Sequence, residues 1–182
     1  MKSIKAVSIL LVALTMAALT LGCSDNNKAP DVSGDVRHAL DQAGLNDVSV
    51  SQDRDKGVVT LGGNVAAEAD KGRAESIAKS VAGTQVISNQ IGVRPNGDES
   101  TAKKVDSDLD SAIDKNLSAA LVQRKLKHDV SYDVKNGVVT LKGNADSQAR
   151  RTLIEKLASA VPNVKQVVNE MEVKNQKATS TK

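Results

Sequence analysis

Apolar positions along this chain recur with two alternating periods. Val32, Val36, Ala39, Leu40 and Ala43 fall on one face of a helix, and Gly44 stands where a helix-terminating glycine belongs. Val48 and Val50 then alternate with Ser49 and Ser51, and Val58-Val59-Thr60-Leu61 is β-branched and apolar, so two short strands are predicted. Ala74, Ile77, Ala78 and Val81 return to helical spacing. Ile87, Asn89, Ile91 and Val93 return to a period of two, which predicts a last strand.

The whole pattern then repeats. Residues 56–93 align with residues 136–173 at an offset of 80 without a gap, and thirteen positions are identical, from Gly57 to Val93. Upstream the offset becomes 81, pairing Val32, Val36 and Leu40 with Ile113, Leu117 and Leu121. The second copy joins its first two strands through Lys135-Asn136-Gly137, and Asn-Gly between apolar runs is a hairpin signal because both residues tolerate positive φ. Its second helix carries Leu153, Ile154, Leu157, Ala158 and Val161, and its last strand Val167, Asn169, Met171 and Val173. Acidic Asp106, Asp108 and Asp110 suit the positive end of its first helix.

Each copy therefore reads αββαβ. The expected fold class is α+β: two tandem domains, each a small three-stranded mixed sheet with two helices on one face. The predicted domains span 31–94 and 105–174. Between them, 95–104 is a polar, turn-rich linker, and 175–182 has no apolar periodicity and reads as a disordered tail. A domain of about 65 residues is marginal alone, so packing of the two copies on each other would add burial.

The N-terminus carries a different signal. Lys2 and Lys5 precede an apolar run from Ile9 to Leu21 broken only by Thr15 and Thr20. That run is short for a membrane span, which needs about 20 apolar residues, and it reads as the hydrophobic region of a signal peptide over residues 1–22. Leu19-Thr20-Leu21-Gly22-Cys23 resembles a lipobox, which implies cleavage before a lipidated Cys23 and a tether over 23–30. Ser24 at the following place implies sorting to the outer membrane.

Loss of residues 1–22 would take both lysines with it, leaving 23 Lys+Arg against 22 Asp+Glu. A near-neutral chain gives no bulk charge for nucleic acid. Tyr132 is the one aromatic residue, which removes stacking platforms for single strands. Cys23 is the one cysteine, so no intramolecular disulfide or cysteine metal cluster is possible. His38 and His128 are isolated from each other, and no metal site or cofactor is expected. There is no G-x-S-x-G elbow and no phosphate loop, since Gly62-Gly63-Asn64 lacks the required spacing. The chain is read as non-enzymatic.

Both repeats resemble the BON domain family. The residues that carry the resemblance are Gly57, Val59, Leu61 and Gly63 with Ile87, Asn89, Ile91 and Val93, and in the second copy Gly137, Val139, Leu141 and Gly143 with Val167, Asn169, Met171 and Val173. The resemblance implies a periplasmic or outer-membrane protein concerned with envelope integrity, osmotic stress and phospholipid binding. Two other readings stand beside it: a periplasmic stress chaperone, for which the Leu153, Ile154 and Leu157 helix could offer an apolar face, and a protein–protein adaptor at the envelope. A lipid-binding member uses the first helix of its second domain. Here that helix bears Asp106, Asp108, Asp110 and Asp114 against Lys115, which does not suit an anionic surface. The candidate headgroup contact is instead the basic cluster after it, Arg124, Lys125 and Lys127, next to His128. Expected partners are membrane phospholipid and envelope proteins, and no nucleic acid. Asn89 and Asn169, in phase with the apolar positions, are read as satisfying backbone groups at a strand–loop junction rather than as ligand contacts.

Overall fold

The computed structural model describes residues 28–128, 130–173 and 178–181. The first domain comprises α1 (Ser33–Gln42), β1 (Val48–Asp53), β2 (Val58–Val65), α2 (Glu68–Ala82), β3 (Val86–Asn89) and β4 (Gly92–Val93). The second comprises α3 (Glu99–Gln123), β5 (Val130–Lys135), β6 (Val138–Gly143), α4 (Gln148–Ser159), β7 (Gln166–Asn169) and β8 (Thr179–Thr181). Each sheet is mixed, as the αββαβ order requires: β1–β2 and β5–β6 are antiparallel, whereas β2–β3 and β6–β7 are parallel.

Three differences from the sequence reading have physical causes. The last strand of domain one is interrupted: β3 and β4 both pair with β2, with a break at Gln90 and Ile91 opposite Gly62-Gly63. Gly63 has φ +85°, and a Cβ there would stand 2.1 Å from the Asp47 carbonyl oxygen, so the close approach requires glycine. Residues 99–104, expected in the linker, belong to α3. The stretch Glu99–Lys104 is composed largely of good helix formers, and Glu99 sits in the first turn where the helix dipole favours an acid. The stretch expected as a disordered tail carries β8, which pairs antiparallel with β7 and buries Ala178.

Helices cover one face of each sheet. Val36, Leu40, Ala74 and Ala78 pack on Val59, Leu61, Ile87 and Ile91. In domain two Ile113, Leu117, Leu121, Ile154 and Ala158 pack on Val139, Leu141, Val167 and Met171. The period of two along the strands sends the alternate residues to the other face. There Val58 and Val86 of the first sheet meet Val138, Val168 and Ala178 of the second in a third apolar cluster. The two domains thus pack by their helix-free faces. Val168 and Val58 are 0% and 1% exposed, so burial here matches the domain cores.

Polar groups register that interface. The Gln166 amide donates to the Ile87 carbonyl at 2.7 Å and accepts from the Asn89 N–H at 3.1 Å. Asn136 Nδ2 donates to the Gln90 carbonyl at 2.7 Å, the Ala178 N–H to the Lys56 carbonyl at 3.2 Å, and Lys56 pairs with Glu172.

Candidate lipid-contact site

The site is built by the way α3 ends. The Leu126 N–H returns to the Leu121 carbonyl at 2.8 Å and the Lys125 N–H to the Val122 carbonyl at 3.0 Å. These are the two bonds of a Schellman turn. Lys125 takes the left-handed place with φ 59°. Helix α1 ends the same way, with Gly44 at φ 76° and Leu45 bonding back to the Leu40 carbonyl at 2.9 Å. A lysine therefore occupies in domain two the position a glycine holds in domain one. Leu126 is driven inward and buried, and its neighbours Arg124, Lys125 and Lys127 are left on the rim.

All three cations are exposed, at the negative end of a helix whose macrodipole favours them. Lys127 is held: its Nζ donates to Ser118 Oγ at 2.9 Å and lies 5.0 Å from the centre of the Tyr132 ring. Tyr132 in turn donates its hydroxyl to the Asp114 carbonyl at 3.2 Å. Among the described residues, the Arg124 and Lys125 side chains make no hydrogen bond or ion pair. Val122 stands beside them and is 58% exposed, the largest exposure among the sizeable apolar residues described. The sequence reading missed Val122, because it sits off the buried stripe of Ile113, Leu117 and Leu121, and a single off-stripe valine carries no periodic signal. The structure does bring Arg124, Lys125 and Lys127 together on one turn. Cys23 and the segment 1–22 lie outside the described residues.

Two open grooves lie elsewhere. One, of about 580 Å³, runs between α3 and β5, with Asn64 and Arg94 of domain one also lining it. Within it Arg94 pairs with Asp106, and both Asp110 carboxylate oxygens are occupied, accepting the Asn136 and Gly137 N–H groups at 2.8 Å each. The other, of about 420 Å³, lies at the domain junction around Lys56, Lys142, Glu170 and Glu172. Burial raises the Glu170 carboxyl above its usual range and nearby Asp53 adds to the rise, while Lys142 and Lys56 oppose it.

The in-phase asparagines hold strand breaks together. Asn169 Nδ2 donates to Glu155 Oε2 at 2.8 Å and to the Arg151 carbonyl at 3.4 Å, and its Oδ1 accepts the Met171 N–H at 3.2 Å. Asn89 does the same with Glu75, the Lys71 carbonyl and the Ile91 N–H. A buried cation accompanies each: Arg151 donates to the Met171 and Asn169 carbonyls at 2.9 and 2.6 Å. Burial lowers the Lys71 ammonium, and Lys165 adds to the fall. These groups face inward and serve the fold. Helix α4 also turns its apolar residues inward, with Ile154 fully buried and Leu153 alone substantially exposed. That leaves no broad apolar face there of the kind a holdase needs.

The BON domain profile matches residues 29–95 and 105–175, which are the two structural repeats. The chain belongs to the BON domain family. Over 146 residues it is 32% identical to osmotically-inducible protein Y of Escherichia coli (strain K12), covering 79% of this chain and 71% of that one. Two solved structures of CdsD, a structural protein of the type III secretion system of Chlamydia trachomatis, share 15% identity with it. One covers 74% of this chain and 88% of its own with a TM-score of 0.29. The other, its C-terminal domain, covers 78% and 96% with a TM-score of 0.31. Neither score supports an argument about this molecule. The BON domains here place Val59, Leu61 and Gly63 on β2 and Val139, Leu141 and Gly143 on β6, the inner strands, and the first glycine of each motif, Gly57 or Gly137, in the turn just before.

Proposed function

We propose that this tandem BON protein is a non-enzymatic envelope lipoprotein that supports envelope integrity under osmotic stress by contacting phospholipid headgroups. Cys23 is its anchor, placing it in the periplasm at the outer membrane. The carrying observation is the end of α3, where exposed Arg124, Lys125 and Lys127 follow an exposed Val122 on one turn. Cations there gain about 1 kcal/mol each beside an anionic leaflet, and one apolar side chain among them can enter the headgroup layer. Anchoring keeps the local lipid concentration high, so weak contacts suffice. The inducibility named for the Escherichia coli relative supports the stress role.

The test is flotation of the soluble 24–182 chain with anionic and zwitterionic vesicles at low and moderate salt. The expected result is salt-sensitive flotation with anionic vesicles, lost in the Arg124→Gln/Lys125→Gln/Lys127→Gln variant. Lys125→Gly separates the charge from the fold: it should weaken flotation and yet stabilise the protein by about 0.5–1 kcal/mol, because glycine has no penalty at that left-handed position. Absence of flotation with anionic vesicles sinks the reading and leaves protein clients as the object of search.

A further inference from the structure

Two mixed sheets have edges, and an edge strand presents unpaired N–H and C=O groups that invite another chain. In this molecule most of those edges are occupied. Gln166 takes the Ile87 carbonyl and the Asn89 N–H on the outer side of β3. Strand β8 covers β7. Beside β1 the N-terminal arm takes up the edge: the Ala29 N–H bonds the Arg54 carbonyl at 2.7 Å, Arg54 Nε returns to the Ala29 carbonyl at 2.8 Å, and Gln52 Nε2 donates to the Pro30 carbonyl at 2.7 Å. The equivalent stretch of domain two is wound into α3, and among the described residues no such arm lies along β5.

The register of the β5–β6 hairpin shows which groups are left. Lys135 pairs with Val138 across a two-residue loop in which Asn136 and Gly137 both have positive φ. In such a type I′ hairpin the closing pair is hydrogen-bonded, and bonded and non-bonded pairs alternate from there. Lys135, Asp133 and Ser131 therefore bond to β6, and Asn136, Val134 and Tyr132 direct their backbone groups outward. The Asn136 N–H is taken by Asp110. Among the described residues nothing takes those of Val134 and Tyr132, and the groove of about 580 Å³ gives access to them.

We infer that β5 pairs antiparallel with β5 of a second copy of this chain, across a two-fold axis through Val134. The charge pattern selects this partner and this register. Asp133 and Lys135 are exposed and flank Val134. With Val134 opposite Val134 of the partner subunit, each Asp133 lies opposite a Lys135, in the closely spaced pairs where side chains interact best. The two Val134 residues then exchange both backbone hydrogen bonds. Shifting the centre to Asp133 would set two aspartates against each other. A two-fold contact uses the same patch on both copies, and Asp133-Val134-Lys135 is complementary to itself when reversed. The inference is independent of the lipid contact.

Sedimentation equilibrium of the purified protein in density-matched detergent tests it. A concentration-dependent dimer is expected in the micromolar range. Asp133→Lys alone and Lys135→Asp alone should each weaken it about tenfold or more, and the double exchange Asp133→Lys/Lys135→Asp should restore it. Val134→Pro should abolish the dimer while leaving the circular dichroism spectrum unchanged, since an outward N–H on an edge strand can be lost without breaking the ladder. A protein that stays monomeric to high micromolar concentration overturns the inference. So does a dimer indifferent to Val134→Pro, or one that the double exchange does not rescue after the single ones break it.

Discussion

Asn169 is fully buried and bonds to three places at once: a helix carboxylate, a helix carbonyl and the N–H just past the break in its own strand. Alanine there would leave the buried Met171 N–H without its acceptor and take one donor from the half-buried Glu155 carboxylate, which keeps Thr179. A loss of about 2–3 kcal/mol is expected, read as a lower urea midpoint with an unchanged slope. A loss under half of that would mean that water enters the gap. The residue was visible in the sequence because it recurs at an offset of 80, and its in-phase position predicted a backbone role. Its partners were not visible, since Glu155 and Arg151 lie on another element and look like ordinary surface charges of an amphipathic helix. Lys125 was likewise legible as a charge but not as a strained residue, because only the alignment with Gly44 and the observed φ expose the position it fills.

At the level of elements, the repeat made every helix and the order of the main strands legible, because apolar spacing is set by burial and burial is what the copies share. What escaped was the treatment of edges. Val86 and Gln166 are counterparts in the two copies, and in sequence the pair looks like a lost apolar position. In the fold Gln166 works as a stand-in for a neighbouring strand along β3. Gln166→Leu keeps the bulk and removes that pairing, so the Asn89 amide should lose about one to two orders of magnitude of hydrogen-exchange protection. Unchanged protection at Asn89 would show that the apolar contact alone seals the edge. Strand β8 was missed for a related reason: Thr179–Thr181 has no apolar alternation, and it is held by backbone pairing, which composition does not record.

At the level of the whole molecule, the helix-free faces decide whether there are two domains or one body. Val168→Asp places a carboxylate inside the third apolar cluster without touching either helical core. A penalty of about 3 kcal/mol or more is expected. Calorimetry of the parent should give one cooperative transition, and the variant should give two, as the halves melt apart. A single shifted transition would mean that the domains are coupled by some other route. The same arrangement limits how the architecture can be multiplied. In solenoids each unit offers two stacking surfaces, and arrays grow by concatenation. Here a unit has one bare surface and spends it on its twin, so duplication closes after a single round, and a third copy spliced to either end would hang as a pendant on the pair without extending it.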